Sequence, residues 1–462
     1  MSDNVSRRSF IGGAASLGIS AIAASHASSA HAMSKSPGED SCATEKCFMD
    51  QYYDGILEIT RGIRDTQIGN ISAAMEKAYE LQRNGGSISS QVTYGHYSMF
   101  AGSPDRPGQP GVLPQSGVNP TKEEFDAMGK GDFLFTNRID TGAIEARKRG
   151  TYVVGITNNY NKFYKTPPNG LSPNKMKIST EETSDLVIDS QVPWDNGLVY
   201  SPAIPSFKLC PSSGITQFLV YWACTASLAN LIGTKGRGSS TEPAEKYLDM
   251  AYDRFQMIGT DRAKIDIVAE KWADRVLEDK ARLLVHGHRQ DVEIYGPTAT
   301  GNMFVNDACI CSSSTMIAEP YELKANELRP SDIVLIGAFT SDNRNEIEAA
   351  RNARKAGAYT AAFCPFSTDG DASGDRLYKE VDDAFNSYSD ESAGVIGVDG
   401  FDEKVSPLSG LTGNLIHWML TAQWTDHMYR RGEMPYFWQG YHENGGQEYD
   451  NEVHPKFLKR GY

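Results

Sequence analysis

A loop rich in hydroxyl and amide side chains, at residues 340–346, offers the clearest chemistry in the sequence. It reads Thr-Ser-Asp-Asn-Arg-Asn-Glu and lies between the apolar run Ile333–Ile336 and a helix-like stretch. Such side chains, with the free N–H groups of a helix start, can bind a phosphate or another oxyanion. A plain cap, with Ser341 or Asn343 capping the helix, explains the same residues, and both interpretations stay open. The candidate anion-binding residues are Thr340, Ser341, Asn343, Arg344 and Asn345.

A poorer version of this loop occurs in the first half of the chain. It runs from Thr136 to Gly142 after the apolar run Phe133–Phe135. It has fewer hydroxyls, and Asp140 adds a negative charge, so it is less suited to an anion. Its candidate ligand-binding residues are Thr136, Asn137 and Thr141.

The two loops belong to a series of landmarks that occurs twice along the chain. The pattern P-x-S-G-[IL]-T-x-x-L-[VI]-x-W occupies residues 211–222 and again 407–418, which is 196 residues further on. Tyr94-Gly95-His96 and His286-Gly287-His288 each end an apolar run, at an offset of 192. Further apolar runs follow both loops, at 152–157 and 359–363. This order predicts duplication of a domain of roughly 190 residues.

Strands and helices alternate within each half. The expected order is helix, strand, strand, helix, strand, helix, with opening helices at Ile56–Asn84 and Ala263–Asp279. This alternation predicts the α/β class, with two doubly wound parallel sheets in tandem, whose ligands bind beyond the carboxyl ends of the strands. The expected organisation is a signal segment at 1–32, a linker at 33–48, a first domain at 49–233, a linker and helix at 234–262 and a second domain at 263–462.

Composition excludes several classes of protein. The 462 residues include 45 Lys and Arg against 59 Asp and Glu, a formal net charge of −14. That balance argues against broad contact with nucleic acid, whose backbone requires a basic surface. No ligand spacing typical of zinc, no phosphate-binding Walker loop and no dinucleotide fingerprint occurs, so we expect no metal and no cofactor.

The N-terminus predicts export. Arg7 and Arg8 form a twin-arginine pattern, the apolar stretch Ile11–Ala24 follows, and Ala30-His31-Ala32 provides a cleavage site. These three features in this order are typical of a signal peptide at residues 1–32. The alternative is a disordered tail with a chance arginine pair. Export implies the twin-arginine translocation machinery as a transient partner, a mature protein in the periplasm or outside the cell, and no membrane span after processing.

The cysteines add little. There are seven, and an odd number in a long chain is not a disulfide framework. Cys309 and Cys311 lie one residue apart, which is too close for the usual metal or redox motif. A bridge between Cys42 and Cys47 after export stays open.

The repeated unit resembles the sugar isomerase (SIS) domain family. The segment Ser341–Glu348 is similar to the S-G-R-N-x-x-x-E form of that family's phosphate loop, although Asp342 replaces the glycine. Met434–Trp438 and Gly445–Glu448 resemble the ending of one bacterial branch, and the likeness covers residues 50–462. It implies a flavodoxin-like fold that binds phosphosugars. It also implies that one chain supplies both members of a pseudo-twofold pair, and a homodimer of chains remains a further expectation.

The same resemblance implies proton transfer between neighbouring sugar carbons through an enediol(ate). That reaction requires a general base within hydrogen-bond reach and donors for the developing oxyanion. The implied catalytic residues are Glu348, His288, Glu319 and Glu443, and the implied substrate contacts include His96 and His442. Each has a structural alternative, namely a strand-end tie for the strand histidines, a solvated face for Glu348 and similarly for Glu319, and tail packing for His442 and Glu443.

Three functions compete at this point. The first is an exported sugar or sugar-phosphate isomerase, and its ligand is a sugar derivative. The second is a non-catalytic protein that binds a carbohydrate derivative. The third is a scaffold whose paired domains serve assembly.

Overall fold

Helices and short strands alternate along the first half of the chain. The computed structural model describes residues 46–92, 108–114, 122–137, 141–157, 178–194, 196–287, 325–367, 374–390, 394–439 and 445–462, which belong to one compact unit. The elements of the first half are α1 (Phe48–Thr66), α2 (Ile68–Arg83), β1 (Ile88–Gln91), α3 (Lys122–Ala127), β2 (Phe133–Thr136), α4 (Thr141–Lys148), β3 (Tyr152–Ile156), α5 (Thr180–Thr183), β4 (Leu186–Ile188), β5 (Gly197–Val199), β6 (Leu209–Pro211) and α6 (Ser213–Gly233).

The second half repeats this succession. Its elements are α7 (Glu242–Ile258), α8 (Arg262–Glu278), β7 (Leu283–Gly287), β8 (Ile333–Gly337), α9 (Arg344–Lys355), β9 (Tyr359–Cys364), β10 (Asp383–Asn386), α10 (Ser409–Arg430) and α11 (Gly446–Arg460). Short 3₁₀ turns lie at Gly259–Asp261, Ala325–Glu327 and Leu377–Lys379. Each half therefore begins with a pair of helices and then forms a sheet.

Each half contains a four-stranded parallel sheet. The strand order is β1-β2-β3-β4 in the first sheet and β10-β9-β8-β7 in the second. In both sheets, therefore, each strand lies next to the strand of the same sheet that follows it in the chain. β5 and β6 form a separate antiparallel pair. Parallel strands joined by helical connections confirm the predicted α/β class.

Helices cover both faces of each sheet. In the first sheet, Phe133 and Phe135 point into the main core, whereas Leu134 packs with Phe125 and Ala146 on the other face. The second sheet follows the same alternation: Ile333 and Leu335 join the main core, and Val334 and Ile336 pack against α9. Continuous apolar strands of this kind occur where both sheet faces are buried.

Strand register identifies equivalent positions in the two halves. Ile88 pairs with Phe133 in the first sheet, and Leu283 pairs with Ile333 in the second. Because Phe133 and Ile333 occupy the same place in their sheets, the position of His286 corresponds to Gln91. The sequence comparison had matched His286 with Tyr94, and the register corrects that match by three residues. Tyr94, Gly95 and His96 themselves lie outside the described residues.

The opening helix of the first half is divided in two. The apolar spacing predicted one helix at Ile56–Asn84, whereas α1 ends at Thr66 and α2 begins at Ile68. Gln67 lies at the break, and its side-chain oxygen accepts hydrogen bonds from the Asp189 N–H (2.9 Å) and from Asn70 (3.1 Å). This side-chain contact connects the break to the end of β4, and apolar spacing cannot reveal it.

The two halves pack reciprocally. Helix α1 packs on α10 of the second half, and α7 packs on α6 of the first half. One core of buried side chains runs through both sheets and these four helices. The predicted domain boundaries stay a prediction, and the repeated unit seen here includes α7, within the segment that the sequence assigned to a linker and helix.

Helix α6 is long and apolar enough to cross a membrane by length and composition alone. However, 89% of its most apolar stretch is buried inside the protein. Burial on all sides is typical of a core helix, and its position between α2 and α7 agrees with that role.

Two predictions about the N-terminus concern residues outside the described part. The signal segment 1–32 and Cys42 are among them, so export stays a prediction. Cys47 is described, and its thiol is free.

Candidate functional site

The carboxyl ends of β1 and β2 carry buried polar residues where the sequence predicted a ligand site. Thr136 ends β2 and is fully buried, and its hydroxyl donates to the Gln91 carbonyl oxygen at 3.0 Å. Asn137 follows and is also buried. Thr136 and Asn137 therefore lie at the edge where parallel sheets bind ligands, and their role in binding stays a prediction.

Asn137 is joined to the first turns of α6. Its Nδ2 donates to Gln217 Oε1 at 2.9 Å. The other end, Gln217 Nε2, is buried and has no acceptor among the described residues. Buried amides almost always have hydrogen-bond partners, so an N–H₂ group without one at a sheet edge is a candidate ligand contact.

A second amide of the same kind lies at the start of α6. Asn196 adopts a left-handed conformation with φ 58°, which asparagine tolerates better than most residues. Its Oδ1 accepts hydrogen bonds from the backbone N–H groups of Ser213 (2.9 Å) and Ser212 (3.3 Å). Its Nδ2 is buried and has no acceptor within the described ranges. The start of α6 thus presents two amide groups, Gln217 and Asn196, whose N–H donors need oxygen atoms.

Gln91 is a third buried amide, and it faces the other side of the sheet. Its Nε2 and Oε1 both lack partners, and the residue is 0% exposed. Side chains alternate along a strand, so Thr136 lies on the same face of the sheet as Leu134, the face covered by α3 and α4. Gln91 pairs in register with Thr136 and lies on that face too. Gln91 therefore shares the sheet edge with Asn137 but not the same face.

The corresponding position in the second sheet is a buried histidine. His286 is 3% exposed, its Nδ1 has no partner, and burial lowers its pKa to about 4. It is therefore neutral at physiological pH. His417 on α10 is also buried, and burial lowers its pKa to about 3.

The 340–345 loop precedes α9 as predicted, and Ser341 is buried within it. Arg376 Nη1 donates to Ser341 Oγ at 3.3 Å, and the Leu377 N–H donates to the Ser341 carbonyl at 2.7 Å. Arg376 also lies 3.6 Å from the Asp342 carboxylate. The loop is thus supplied with a guanidinium from a segment beyond β9, a residue that the sequence analysis missed.

Asn343 caps helix α9. Its Oδ1 accepts a hydrogen bond from the Asn345 N–H at 3.1 Å, and its backbone is extended. The cap interpretation therefore holds for Asn343. Thr340 is half-buried, and Arg344 and Asn345 are exposed. Binding of an anion by this loop stays a prediction.

Glu348 lies on the solvent side of α9. Its carboxylate pairs with Arg351 at 3.0 Å, and Arg351 also contacts Asp375 (2.8 Å) and Glu380 (3.0 Å). This is the solvated-face arrangement that the sequence offered as the alternative to a catalytic base. Its catalytic role stays a prediction.

The remaining predicted site residues are not placed. His96, His288, Glu319, His442 and Glu443 lie outside the described residues, and so does Asp140 of the first loop. Thr141 begins helix α4, but its side chain is not described. Within the described ranges, no group of three or more His, Cys, Asp or Glu side chains is arranged to hold a metal ion.

The sequence analysis missed Gln217, Asn196 and Arg376. The sequence does distinguish Gln217, because the repeated motif has Gly413 at the equivalent position. A polar residue present in one repeat and absent from the other indicates a role that the two repeats do not share. Asn196 and Arg376 carry no comparable signal, since both reach their sites from distant segments of the chain.

Comparisons with known proteins give weak similarity. No family model matches the chain, and no curated protein matches it. A provisionally named phosphosugar isomerase from Silicibacter pomeroyi is 14% identical, covering 85% of this chain and 100% of its own, with a TM-score of 0.41. The tagatose-6-phosphate ketose/aldose isomerase of Escherichia coli is 13% identical, covering 83% and 95%, with a TM-score of 0.37. Similarity at this level supports no inference about this chain, and its fold is defined by the strand topology.

Proposed function

We propose that this protein is an exported protein that binds a carbohydrate derivative at the carboxyl edge of its first sheet, and that aldose–ketose isomerisation is its reaction. The observation that carries the proposal is the pair of buried amide donors, Gln217 Nε2 and Asn196 Nδ2, which have no acceptor at the start of α6. Leaving such a donor unsatisfied costs about 1–3 kcal/mol. A ligand rich in hydroxyl oxygens would recover that free energy.

The chemistry of this edge favours a polyhydroxylated ligand over a fully charged one. Asn137, Gln217 and Asn196 carry neutral amides, and Thr136 carries a hydroxyl. Amides both donate and accept, as sugar hydroxyls do, so the two kinds of group are complementary. A phosphate or carboxylate would instead suit the second half, where Arg376 lies beside Ser341 at the loop before α9.

The binding part of the proposal is tested by isothermal titration calorimetry with a panel of aldoses, ketoses and their phosphates. Gln217→Leu keeps the side-chain size but removes the amide, so we expect at least tenfold weaker binding of the best ligand in the panel. Gln82→Leu makes the same change at an exposed position of α2 and is the matched control. Unchanged affinity in Gln217→Leu would show that the ligand binds elsewhere.

The reaction part requires a base that removes a proton from the carbon beside the carbonyl and returns it to the neighbouring carbon. We assign this role by proposal to His288, Glu319 or Glu443, with Glu348 as the fourth candidate. Proton NMR of the substrate panel in deuterated water tests it, because an isomerase exchanges the proton beside the carbonyl for deuterium. Exchange above the uncatalysed rate supports an enzyme.

A non-catalytic binding protein is the second candidate. The exposed ion pair between Glu348 and Arg351 favours it, because a carboxylate held this way in water is poorly suited to be a buried base. Binding in the calorimeter without deuterium exchange would establish this candidate. Absence of both would favour the scaffold.

Export is the third part of the proposal and depends on residues 1–32. Substituting Arg7→Lys together with Arg8→Lys should leave the protein in the cytoplasm of a bacterial host, whereas the natural sequence should be recovered from the periplasm or the medium. Cell fractionation with immunoblotting measures the distribution. Equal distribution of both forms would contradict a twin-arginine signal.

A further inference from the structure

A polar pocket of about 540 Å³ lies away from the strand ends, where α1, α8 and α10 meet. Its lining includes Asp50, Arg262, Asp266, Gln423, His427 and Arg430. Volumes of 300–1,000 Å³ are typical of pockets for small ligands. Nothing in the proposed carbohydrate function uses this pocket.

A hydrogen-bonded group built on Asp266 occupies one wall of the pocket. Asp266 Oδ1 accepts a hydrogen bond from Gln423 Nε2 at 2.6 Å and lies 2.8 Å from His427 Nε2. The bond to Asp266 fixes the amide of Gln423, so its other atom is the oxygen. Gln423 is only 5% exposed, and its Oε1 receives no hydrogen bond from any residue that the structure describes. The wall therefore contains an acceptor that needs an N–H or O–H group.

The charges of the pocket are unevenly matched. Asp50 pairs with Arg262 at 3.4 Å, and Arg430 pairs at 2.9 Å with Asp426, a buried residue that does not line the pocket. Asp266 has no lysine or arginine partner within the part of the chain that the structure describes. Asp266 is therefore the carboxylate that remains available to a cationic ligand.

The first half contains helices equivalent to those that line this pocket. Helices α6 and α10 correspond at an offset of 196 through the repeated motif, which matches Ser227 with Gln423 and Asn230 with Asp426. Helices α2 and α8 correspond at an offset of 194, at which the buried pairs Ile71 with Ile265 and Ala78 with Trp272 align. This offset matches Ser72 with Asp266.

In the first half these positions bind the chain itself. Ser227 Oγ donates to the Ser240 carbonyl at 2.6 Å, and Asn230 Nδ2 donates to the Ser239 carbonyl at 2.8 Å. Ser72 Oγ lies 2.6 Å from Ser240 Oγ. Side-chain donors thus hold the carbonyl oxygens of a polypeptide segment.

The second half replaces these donors with acceptors. Gln423 and Asp266, which line the pocket, stand in the places of Ser227 and Ser72, so this wall is complementary to N–H donors and positive charge instead of carbonyl oxygens. We propose that this pocket binds the primary ammonium group of a small polar molecule, with Asp266 and Gln423 Oε1 as its acceptors. The ammonium comes from the amino end of a peptide or from an amino sugar.

Titration calorimetry on the full chain tests the proposal with two matched pairs of probes. L-alanyl-L-alanine is compared with its N-acetyl derivative, and D-glucosamine is compared with N-acetyl-D-glucosamine. We expect one amine to bind and its acetylated form to bind at least tenfold more weakly, because acetylation removes the charge and two donors. The pair that shows the difference identifies the source of the ammonium. If neither amine binds, or if acetylation changes nothing, the proposal is wrong.

Two variants locate the binding. Asp266→Asn and Gln423→Leu should each weaken binding of the amine about tenfold or more, with circular dichroism used to confirm folding. Asp274→Asn is the matched control, because Asp274 lies on the same helix and pairs with Arg431 at 2.8 Å outside the pocket. Wild-type affinity in both pocket variants would overturn the proposal. Gln217→Leu should leave amine binding unchanged, which separates this site from the carbohydrate site.

Discussion

Tyr52 and Tyr247 make the same hydrogen bond in the two halves of the chain. Each phenol donates to the carbonyl of the proline that opens the repeated motif, Pro211 for Tyr52 and Pro407 for Tyr247, and both distances are 3.0 Å. Each tyrosine is fully buried, on α1 or α7, the helices that pack against the opposite half. Each phenol thus ties the helix that reaches across the interface to the motif of its own half.

Removing one of these phenols should destabilise the protein. Tyr52→Phe or Tyr247→Phe leaves a carbonyl oxygen without its donor, so we expect the free energy of unfolding to fall by about 1–2 kcal/mol in each variant. Urea unfolding followed by circular dichroism measures the change. Equal losses in the two variants would agree with the pseudo-symmetry, whereas a loss in only one would show that the bonds are not equivalent.

Replacing Gln91 by an apolar residue should have the opposite effect. Both atoms of the Gln91 amide are buried without partners, so the native state bears their desolvation penalty. Gln91→Leu removes this penalty at nearly constant volume, and we expect a gain of about 1–2 kcal/mol in the free energy of unfolding. Thermal and urea unfolding measure it. A loss of stability would mean that the amide has partners in solution.

The duplicated fold was accessible to sequence reasoning because the motif at 211–222 recurs at 407–418 with the same spacing. Apolar runs then sufficed to place β2, β3, β8 and β9. The match of His286 with Tyr94 failed because β1 and β7 carry no shared motif, and hydrogen-bonded register is needed to align them. The first helix divides at Gln67, whose side chain contacts Asp189, and periodicity contains no sign of that contact.

The candidate site was predicted less completely than the fold. Thr136, Asn137 and Ser341 could be proposed as site residues because each lies at or after a strand end in a loop of polar residues, and their role stays a prediction. Gln217 was not among the predicted residues, and Arg376 lies 35 residues from the Ser341 that it contacts. Gln217 and Arg376 contact the first and the second loop, respectively. Contacts between distant segments of a chain leave no local pattern in its sequence.

Asp450 on α11 should make stability depend on pH. The Gln439 N–H donates to Asp450 Oδ1 at 2.9 Å, but Oδ2 is buried without a partner, and burial raises the pKa of this carboxyl to about 7. A folded-state pKa above the unfolded value favours the protonated form, so stability is present at low pH and falls as the pH rises from about 4 to about 7. Asp450→Asn should remove this contribution.

The pH experiment compares Asp450→Asn with the natural protein by urea unfolding at pH 5 and pH 8. We expect the variant to be more stable at pH 8 by on the order of 2 kcal/mol, after allowance for solvent screening, and by about a third of that amount at pH 5. Asp402→Asn, at an exposed position, is the control and should show no such difference. A variant that is less stable at pH 8 would contradict the raised pKa.

The four candidate bases can be ranked by deuterium exchange. Loss of a general base typically lowers a rate by 10²–10⁴. Glu348→Gln breaks only an exposed ion pair with Arg351, so we expect less than about 1 kcal/mol change in stability and little change in exchange. His288→Gln, Glu319→Gln and Glu443→Gln are measured beside it. A large loss of exchange in Glu348→Gln alone would show that Glu348 reaches the substrate despite its surface position.

The loop at 340–345 gives the last prediction, because it separates an anion site from a plain helix cap. Asn343 already caps α9, and Ser341 is engaged by Arg376, so the guanidinium is the group best able to attract a phosphate. Arg376→Gln keeps a donor beside Ser341 but removes the charge. We therefore expect sugar phosphates to bind at least tenfold more weakly, while unphosphorylated sugars keep their affinity for the first sheet. The double variant Ser341→Ala with Asn343→Ala tests the loop itself by the same titration. Because a helix cap contributes about 1 kcal/mol, we expect the double variant to lose some stability. If Arg376→Gln and the double variant both bind sugar phosphates as tightly as the natural protein, the loop is only a helix cap.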